Sequence, residues 1–186
     1  AWADPVLAQP TITPLNVPPG GISSSAAGAD VDGSTVVGTV LSSGDEHALR
    51  WDTSGVLPTL TDLGTLGGLN DISDAFGVSG DGSTVVGRVG NTQQLQPNHA
   101  FYWEMSTGLM TDLGPPPAGT AAWATGANHD GTVIVGYHGS GAAHWDNFGA
   151  PTILPPISGG SGSAAWGVSG DGKIVVGWSG TPSGQA

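Results

Sequence analysis

The chain has 186 residues, of which 33 are glycine and 14 are proline, and its formal net charge is −12. Its three fixed cations, Arg50, Arg88 and Lys173, are too few to neutralise a phosphate backbone, which argues against a nucleic-acid partner and against anionic membrane surfaces. No apolar run approaches the ~18 residues of a membrane span, and cysteine is absent, so we expect neither membrane insertion nor disulfides.

In chain order, the first recurring element is a glycine-rich segment centred on Asp-Gly. Its four copies are spaced by about 40 to 50 residues, the period of a repeat architecture. They cover residues 27–38, 76–87, 125–136 and 166–177, and their aspartates are Asp32, Asp81, Asp130 and Asp171. Asp-Gly supplies the positive φ angles of a tight turn and β-branched residues follow it, so each copy predicts a hairpin. Glycines 28, 77, 126 and 167 precede the turns, and we expect them to let the inner strands crowd together.

Two shorter elements follow each hairpin. His-Ala-x-x-Trp at 47–51 recurs at 99–103 and, more weakly, at 141–145 as Gly-Ala-Ala-His-Trp, and it predicts a third strand. Leu-Thr-Asp-Leu at 60–63 recurs as Met-Thr-Asp-Leu at 110–113, loosely at 152–156, and predicts a fourth. No stretch shows helical periodicity. Four short antiparallel strands in ~40–50 residues are typical of a propeller blade.

The fourth copy ends nine residues before the C-terminus, and its missing elements stand at the other end of the chain. Trp2 occupies the place of Trp51, and residues 11–15 occupy the place of residues 60–63. The sequence therefore predicts an all-β protein, a four-bladed β-propeller whose last blade is built from both chain termini. Half of a larger ring, completed by dimerisation, is the alternative. We expect one domain over residues 1–186, with units at 22–70, 71–119, 120–160, and 161–186 plus 1–21.

Residues 99–103 and 110–114, with Thr61-Asp62-Leu63-Gly64-Thr65-Leu66-Gly67-Gly68, resemble the HAF-type probable extracellular repeat of bacteria. The resemblance covers most of the chain, is good in units one and two, and weakens in unit three and across the chain ends. It implies a secreted bacterial protein with a mostly non-enzymatic role, and it supplies no catalytic residues. The start at Ala1-Trp2-Ala3 fits a mature protein whose signal peptide has been removed, and the absence of cysteine favours an extracellular bacterial location.

Candidate metal ligands are few. His138 and His144 flank a short turn and form a candidate pair for one metal ion. Asp30 and Asp32 form an acidic loop and are calcium candidates, although the repeated Asp-Gly is explained most simply as a turn. His47 and His99 share one repeat position, which favours a structural role, such as a hydrogen bond to the backbone of a neighbouring blade. We expect no cofactor apart from this calcium possibility. No catalytic motif is present, so we do not expect an enzyme.

The tryptophans divide into two groups. Trp2, Trp51, Trp103 and Trp145 are repeat-equivalent, and we expect them to pack between blades. Trp123, Trp166 and Trp178 do not recur in every unit, and they are the candidates for stacking on a sugar ring, as in a lectin-like module.

The divided fourth unit suggests self-association. If the N-terminal segment completes the last blade of a neighbouring copy, repeated head-to-tail contact produces a filament. The candidate seam consists of Trp2, Ile12, Leu15, Trp166, Val175 and Val176. The sequence thus favours a secreted surface or matrix protein, structural or adhesive, whose partners are further copies of itself and, in the alternative, surface glycans.

Overall fold

The computed structural model describes residues 14–43, 45–67, 71–91, 98–139, 141–158 and 160–180. These residues form fourteen β-strands and no helix, which confirms the all-β prediction. Among them, therefore, no helix is long and apolar enough to cross a membrane.

The strands form four antiparallel sheets, which we number in chain order. Sheet 1 contains β1 (Gly21–Ala29), β2 (Thr35–Ser42), β3 (Glu46–Asp52) and β4 (Thr59–Asp62). Sheet 2 contains β5 (Asp71–Val78), β6 (Thr84–Asn91), β7 (His99–Glu104) and β8 (Leu109–Asp112). Sheet 3 contains β9 (Ala122–Ala127), β10 (Val133–His138), β11 (Gly141–Asp146) and β12 (Thr152–Leu154). Sheet 4 contains β13 (Ser163–Val168) and β14 (Val175–Ser179), and no further strand of the described residues joins it.

Each sheet is a meander in which sequence neighbours are also hydrogen-bonded neighbours. The register of the second and third strands repeats from sheet to sheet. Val36 lies opposite Trp51, Val85 opposite Trp103 and Ile134 opposite Trp145. Since side chains alternate between the two faces of a strand, a repeated register places equivalent residues on the same face of every sheet.

The four Asp-Gly segments are turns, as the sequence predicts, but the aspartate contributes in a different way. Only the glycine takes a positive φ, between +73° and +76° in the four turns. The aspartate carboxylate instead accepts a hydrogen bond from the backbone N–H two residues later. The four distances are 2.8, 3.0, 3.1 and 3.2 Å, from Asp32, Asp81, Asp130 and Asp171 respectively. Each Asp is therefore the acceptor of an Asx turn that closes the loop between the first two strands.

A β-bulge interrupts the pairing of the first two strands in every sheet. Opposite it lies a glycine with no room for a side chain, because a Cβ at Gly87 would overlap the carbonyl oxygen of Asp74. Gly38, Gly136 and Gly177 occupy the same position. The glycines expected to crowd between inner strands are less constrained. A Cβ at Gly77 would lie 2.8 Å from the carbonyl oxygen of Thr125, whereas at Gly28, Gly126 and Gly167 the nearest atom is 3.4–3.5 Å away.

The hydrophobic core lies between consecutive sheets rather than within any one of them. At each junction, a valine from the second strand of one sheet packs against an alanine and a β-branched residue of the next. The three sets are Val37 with Ala75 and Val85, Val86 with Ala124 and Ile134, and Val135 with Ala165 and Val175. Trp51, Trp103 and Trp145 are buried, in agreement with their expected role in packing.

Candidate functional site

The two ends of the stack of sheets expose surfaces that are buried at every internal junction. Val37, Val86 and Val135 are fully buried against the next sheet, whereas their repeat equivalent in β14, Val176, is 58% exposed. A fully exposed valine forgoes about 1.5 kcal/mol or more of burial energy. Sheet 4 therefore ends in an apolar face that no described residue covers.

A second residue on the same face repeats this contrast. Thr35 and Thr84 are buried and contact the turn glycine of the following sheet, Gly82 and Gly131 respectively. Their equivalent next to the last turn, Ile174, is 64% exposed. We call the surface formed by Ile174 and Val176 the tail face.

Sheet 1 exposes the complementary surface. Ala75, Ala124 and Ala165 are buried by the preceding sheet, but their equivalent, Ala26, is exposed. A Cβ at Gly33 would have no atom within 4 Å, although the equivalent turn glycines contact the preceding sheet closely. We call the surface formed by Ala26, Gly33 and Val36 the head face. Its Ala26 and Val36 are repeat equivalents of the residues that pack against the valine of the preceding sheet at each internal junction.

Backbone hydrogen bonds between turns also connect consecutive sheets. Val31 N–H donates to the carbonyl of Gly80 at 3.2 Å, and His129 N–H donates to that of Gly170 at 3.0 Å. Between them, Asp81 N–H donates to the carbonyl of His129 at 2.9 Å. The series runs in one direction through all three junctions, so a fourth junction of the same kind would join the turn of sheet 4 to that of sheet 1.

The segment before β1 is seated on sheet 1. Leu15 packs with Trp51 and its neighbours, and the indole N–H of Trp51 donates a 2.9 Å hydrogen bond to the carbonyl oxygen of Asn16. Trp145 forms the corresponding bond, 3.2 Å long, to the carbonyl oxygen of Leu113 at the end of sheet 2. Leu15 thus occupies the same position beside Trp51 that Leu113, at the end of sheet 2, occupies beside Trp145 of sheet 3.

The residues of the predicted seam are only partly described. Trp2 and Ile12 lie outside the described residues. Leu15 is half-buried against sheet 1, and Val175 is half-buried at the junction of sheets 3 and 4. Val176 and Trp166 are exposed on sheet 4.

The three candidate glycan-binding tryptophans have different surroundings. Trp166 and Trp178 are exposed on sheet 4. Trp123 is half-buried and its ring stacks on Tyr137, with ring centroids 4.6 Å apart and planes 19° from parallel. With Phe76, Arg88 and Thr125 it lines a cleft of about 300 Å³ between sheets 2 and 3. We call this the aromatic cleft.

An ion pair supports one wall of the cleft. Arg88 Nε–H donates a 2.7 Å hydrogen bond to Asp74, and the guanidinium carbon lies 5.8 Å from the centre of the Phe76 ring. Asp74 is almost completely buried and also accepts a 3.1 Å hydrogen bond from the Thr39 hydroxyl of sheet 1. The arginine is therefore held in place by a carboxylate that neutralises its charge.

The expectation that His47 and His99 bond to a neighbouring blade's backbone is wrong. His47 Nδ1 lies 2.9 Å from Asp62 Oδ2, and His99 Nδ1 lies 2.7 Å from Asp112 Oδ2. Both partners are side chains on the fourth strand of the same sheet. The reason is register: Leu49 pairs with Asp62, so the aspartate lies diagonally across from His47 on the same face.

The residues considered as metal ligands make other contacts, although Asp30 Oδ1 and His138 Nε2 are buried without a hydrogen-bond partner among the described residues. Asp32 closes its turn, and Asp30 accepts a 3.0 Å hydrogen bond from the Ser34 hydroxyl. His138 is buried edge-on against Trp145, whereas His144 faces Asp146, 3.6 Å away. In the described ranges, no three His, Asp or Glu side chains form a group able to hold a metal ion. Calcium binding at Asp30 and Asp32 stays a prediction.

The turn aspartates are stronger acids than usual. The backbone N–H of Ser34 lowers the pKa of Asp32 below its ordinary value of 3.8. At Asp81, burial raises the pKa, but the hydroxyls of Ser79 and Ser83 outweigh it, so the net shift is also downward. Hydrogen bonds to the ionised carboxylate thus stabilise these turns at neutral pH.

The fold resembles solved structures of TolB proteins. "Crystal structure of TolB from Acinetobacter baumannii" matches with a TM-score of 0.61 and 18% identity, over 88% of this chain and 39% of that one. "The structure of putative TolB from Agrobacterium tumefaciens" matches with a TM-score of 0.52 and 17% identity, over 84% of this chain and 53% of that one. The chain thus spans about two fifths and about half of these two structures.

At this level of identity the likeness shows the fold alone, an all-β arrangement with β-propeller-like repeat character. No protein-family model and no curated protein matches the chain. The HAF resemblance and the predicted unit boundaries stay predictions.

Sequence reasoning missed several residues of both surfaces. These residues are Ile174, Ala26 and Gly33, and the repeat alignment is the signal that links them to the equivalent residues at the internal junctions. Phe76, Arg88 and Thr125 of the aromatic cleft gave no such signal. They belong to two different units, and only the stacking of sheets 2 and 3 brings them together.

Proposed function

We propose that the protein is a non-enzymatic structural protein of the bacterial cell surface or extracellular matrix, whose copies associate head to tail into a filament. One observation carries the proposal: the residues of the head and tail faces are repeat equivalents of residues that are buried or half-buried at all three internal junctions. Packing the tail face of one copy on the head face of the next would create a fourth junction of the same kind.

The expected contacts of this junction follow from the internal ones. Val176 of one copy takes the place of Val135 and packs against Ala26 and Val36 of the next. Ile174 covers the turn at Gly33. Because the head and tail faces are different surfaces, the contact is heterologous, and repeated heterologous contacts give rings or open filaments.

The N-terminal segment supports exchange between copies. Leu15 is seated on sheet 1, which lies at the head end of the stack. Residues 11–13 precede it directly, and in the repeat alignment they correspond to a fourth strand. We infer that this segment extends the incomplete sheet 4 of the neighbouring copy whose tail face contacts this head face. Strand addition of this kind uses main-chain hydrogen bonds, and the contacts with the neighbouring sheet provide the specificity.

The competing arrangement is a closed four-bladed propeller in which residues 1–21 complete sheet 4 of the same molecule. It would bury Val176 and Ala26 within one chain. The exposure of both residues in the described part of the chain favours association between copies.

Sedimentation velocity over a range of protein concentrations, combined with negative-stain electron microscopy, tests the proposal. We expect the intact chain to form filaments that lengthen with concentration. The variant Val176→Glu should remain monomeric, because it buries an unpaired charge in the junction. Leu109→Glu is the matched control, since Leu109 is an exposed apolar residue on β8, outside both end faces.

A monomer at every concentration would overturn the proposal. A closed ring of two copies would support the head-to-tail junction but would overturn the proposal that the copies form a filament. The extracellular location is tested separately, by fractionating the producing bacterium and locating the protein with an antibody.

A further inference from the structure

Variation among the repeats is concentrated at one surface. The scaffold positions nearly repeat from sheet to sheet, as in the Asp-Gly turns and the Val-Val-Gly of the second strand. Three positions on the first two strands differ in every unit. The first position holds Ser25, Asp74, Trp123 and Ala164. The second holds Ala27, Phe76, Thr125 and Trp166. The third holds Thr39, Arg88, Tyr137 and Trp178.

The first and third of these positions form cross-strand pairs, and the second lies at the bulge. Ser25 pairs with Thr39, Asp74 with Arg88, Trp123 with Tyr137 and Ala164 with Trp178. A position required for packing has the same surroundings in each unit and needs a similar residue each time. Pairs that change from polar to ionic to aromatic therefore share no single packing role, and their exposed and half-buried members are available for recognition.

The aromatic cleft is one of two pockets that the described residues form on this surface, and it is the one that contains Trp123. Its volume of about 300 Å³ falls at the lower end of the range for small-molecule pockets. Tyr137 fixes the orientation of the Trp123 ring by stacking, and Asp74 fixes that of Arg88. Rigid side chains lose little conformational entropy when a ligand binds.

We propose that the aromatic cleft binds one pyranose ring of a neutral glycan. The indole of Trp123 offers an apolar surface for the C–H face of the ring. The terminal NH₂ groups of Arg88, which have no hydrogen-bond partner among the described residues, donate to its hydroxyl oxygens. The proposal does not rest on self-association, because the cleft lies between sheets 2 and 3, inside one copy.

Charge selects a neutral sugar over an acidic one. Asp74 already neutralises Arg88, so the cleft offers no free positive charge to a carboxylate. The net charge of −12 also repels a polyanionic glycan. Binding should therefore be insensitive to salt, because screening weakens interactions between charges only.

Isothermal titration with cellohexaose, mannohexaose and maltohexaose tests the site, with trigalacturonate as the acidic probe. We expect at least one neutral oligosaccharide to bind, with an affinity that changes less than about twofold between 50 and 500 mM NaCl. Trp123→Ala should weaken that binding at least about tenfold, and Trp123→Phe should restore part of it. Leu109→Ala is the control, because Leu109 is an exposed apolar residue outside the cleft and outside the variable positions, and the affinity of this variant should stay within about twofold of that of the unaltered protein.

Circular dichroism spectra and the urea midpoint of each variant show whether it has kept its fold. If Trp123→Ala fails to fold, Arg88→Gln provides the second readout, with an expected loss of about fivefold or more. Failure of all three neutral sugars to bind at millimolar concentration would overturn the proposal, as would tighter binding of trigalacturonate. Equal binding by folded Trp123→Ala and by the unaltered protein would also overturn it.

Discussion

The indole N–H of Trp51 in β3 donates a hydrogen bond to the carbonyl oxygen of Asn16, 2.9 Å away in the segment that precedes β1. This bond attaches the segment to sheet 1, because Trp51 is completely buried and Leu15 packs beside it. The position of the N-terminal segment therefore depends on a core residue of the first sheet.

Replacing Trp51 with phenylalanine should remove this bond and keep much of the packing. We expect the free energy of unfolding in urea to fall by about 0.5–1.5 kcal/mol, because the hydrogen bond to the carbonyl oxygen of Asn16 is lost. Hydrogen exchange at residues 15–21 should accelerate at the same time. Trp178→Phe is the control, since Trp178 is exposed and its indole N–H has no partner among the described residues. Unchanged exchange in Trp51→Phe would show that the segment is held by other contacts.

If the junction is heterologous, a mixture of two variants, one with a disabled tail face and one with a disabled head face, should assemble only as far as a dimer. Val176→Glu disables the tail face, and Ala26→Glu disables the head face. Each variant alone should sediment as a monomer. An equimolar mixture should form a dimer and nothing larger, because only one usable head and one usable tail remain per pair. Mixtures that stay monomeric, or that form long chains, would contradict head-to-tail packing through these faces.

Because the pKa values of the turn aspartates are lowered in the folded state, we predict that the fold loses stability in acid. The folded-state pKa of Asp81 lies below its ordinary value of 3.8, so its hydrogen bonds stabilise the fold above that pH. Their contribution disappears as the pH falls through the folded-state pKa. We expect Asp81→Asn to reduce the decrease in unfolding free energy between pH 5 and pH 3, as measured by urea denaturation. An equal decrease in Asp81→Asn and in the unaltered protein would contradict this role of Asp81.

Because the glycine opposite each bulge has no room for a Cβ, we predict that its replacement by alanine destabilises the fold. A Cβ at Gly87 would overlap the carbonyl oxygen of Asp74 and approach the Phe101 ring to 2.8 Å. Gly87→Ala should therefore lower the free energy of unfolding by about 3 kcal/mol, since the bulge cannot shift without disturbing the junction. Gly55→Ala, in an exposed loop with its nearest atom at 3.4 Å, should change it by less than about 1 kcal/mol. Equal effects of the two substitutions would show that the bulge adjusts freely.

The sequence was sufficient to predict features that recur in every unit. The turns at Asp32, Asp81, Asp130 and Asp171 and the all-β class follow from local propensities that act four times. The His47–Asp62 pair could not be predicted, because it depends on the register between β3 and β4 rather than on residue type. The aromatic cleft could not be predicted either, because Arg88 and Trp123 meet only through the stacking of two sheets and neither recurs.

The difference between the head and tail faces has a consequence for the elongation of the proposed filament. A linear array of copies would display Val176 at one end and Ala26 at the other, so its two termini would be chemically distinct. At one terminus the incoming copy presents its head face and N-terminal segment, whereas at the other it presents its tail face. The two rates of elongation should differ, and the array would have a kinetic direction as well as a structural one.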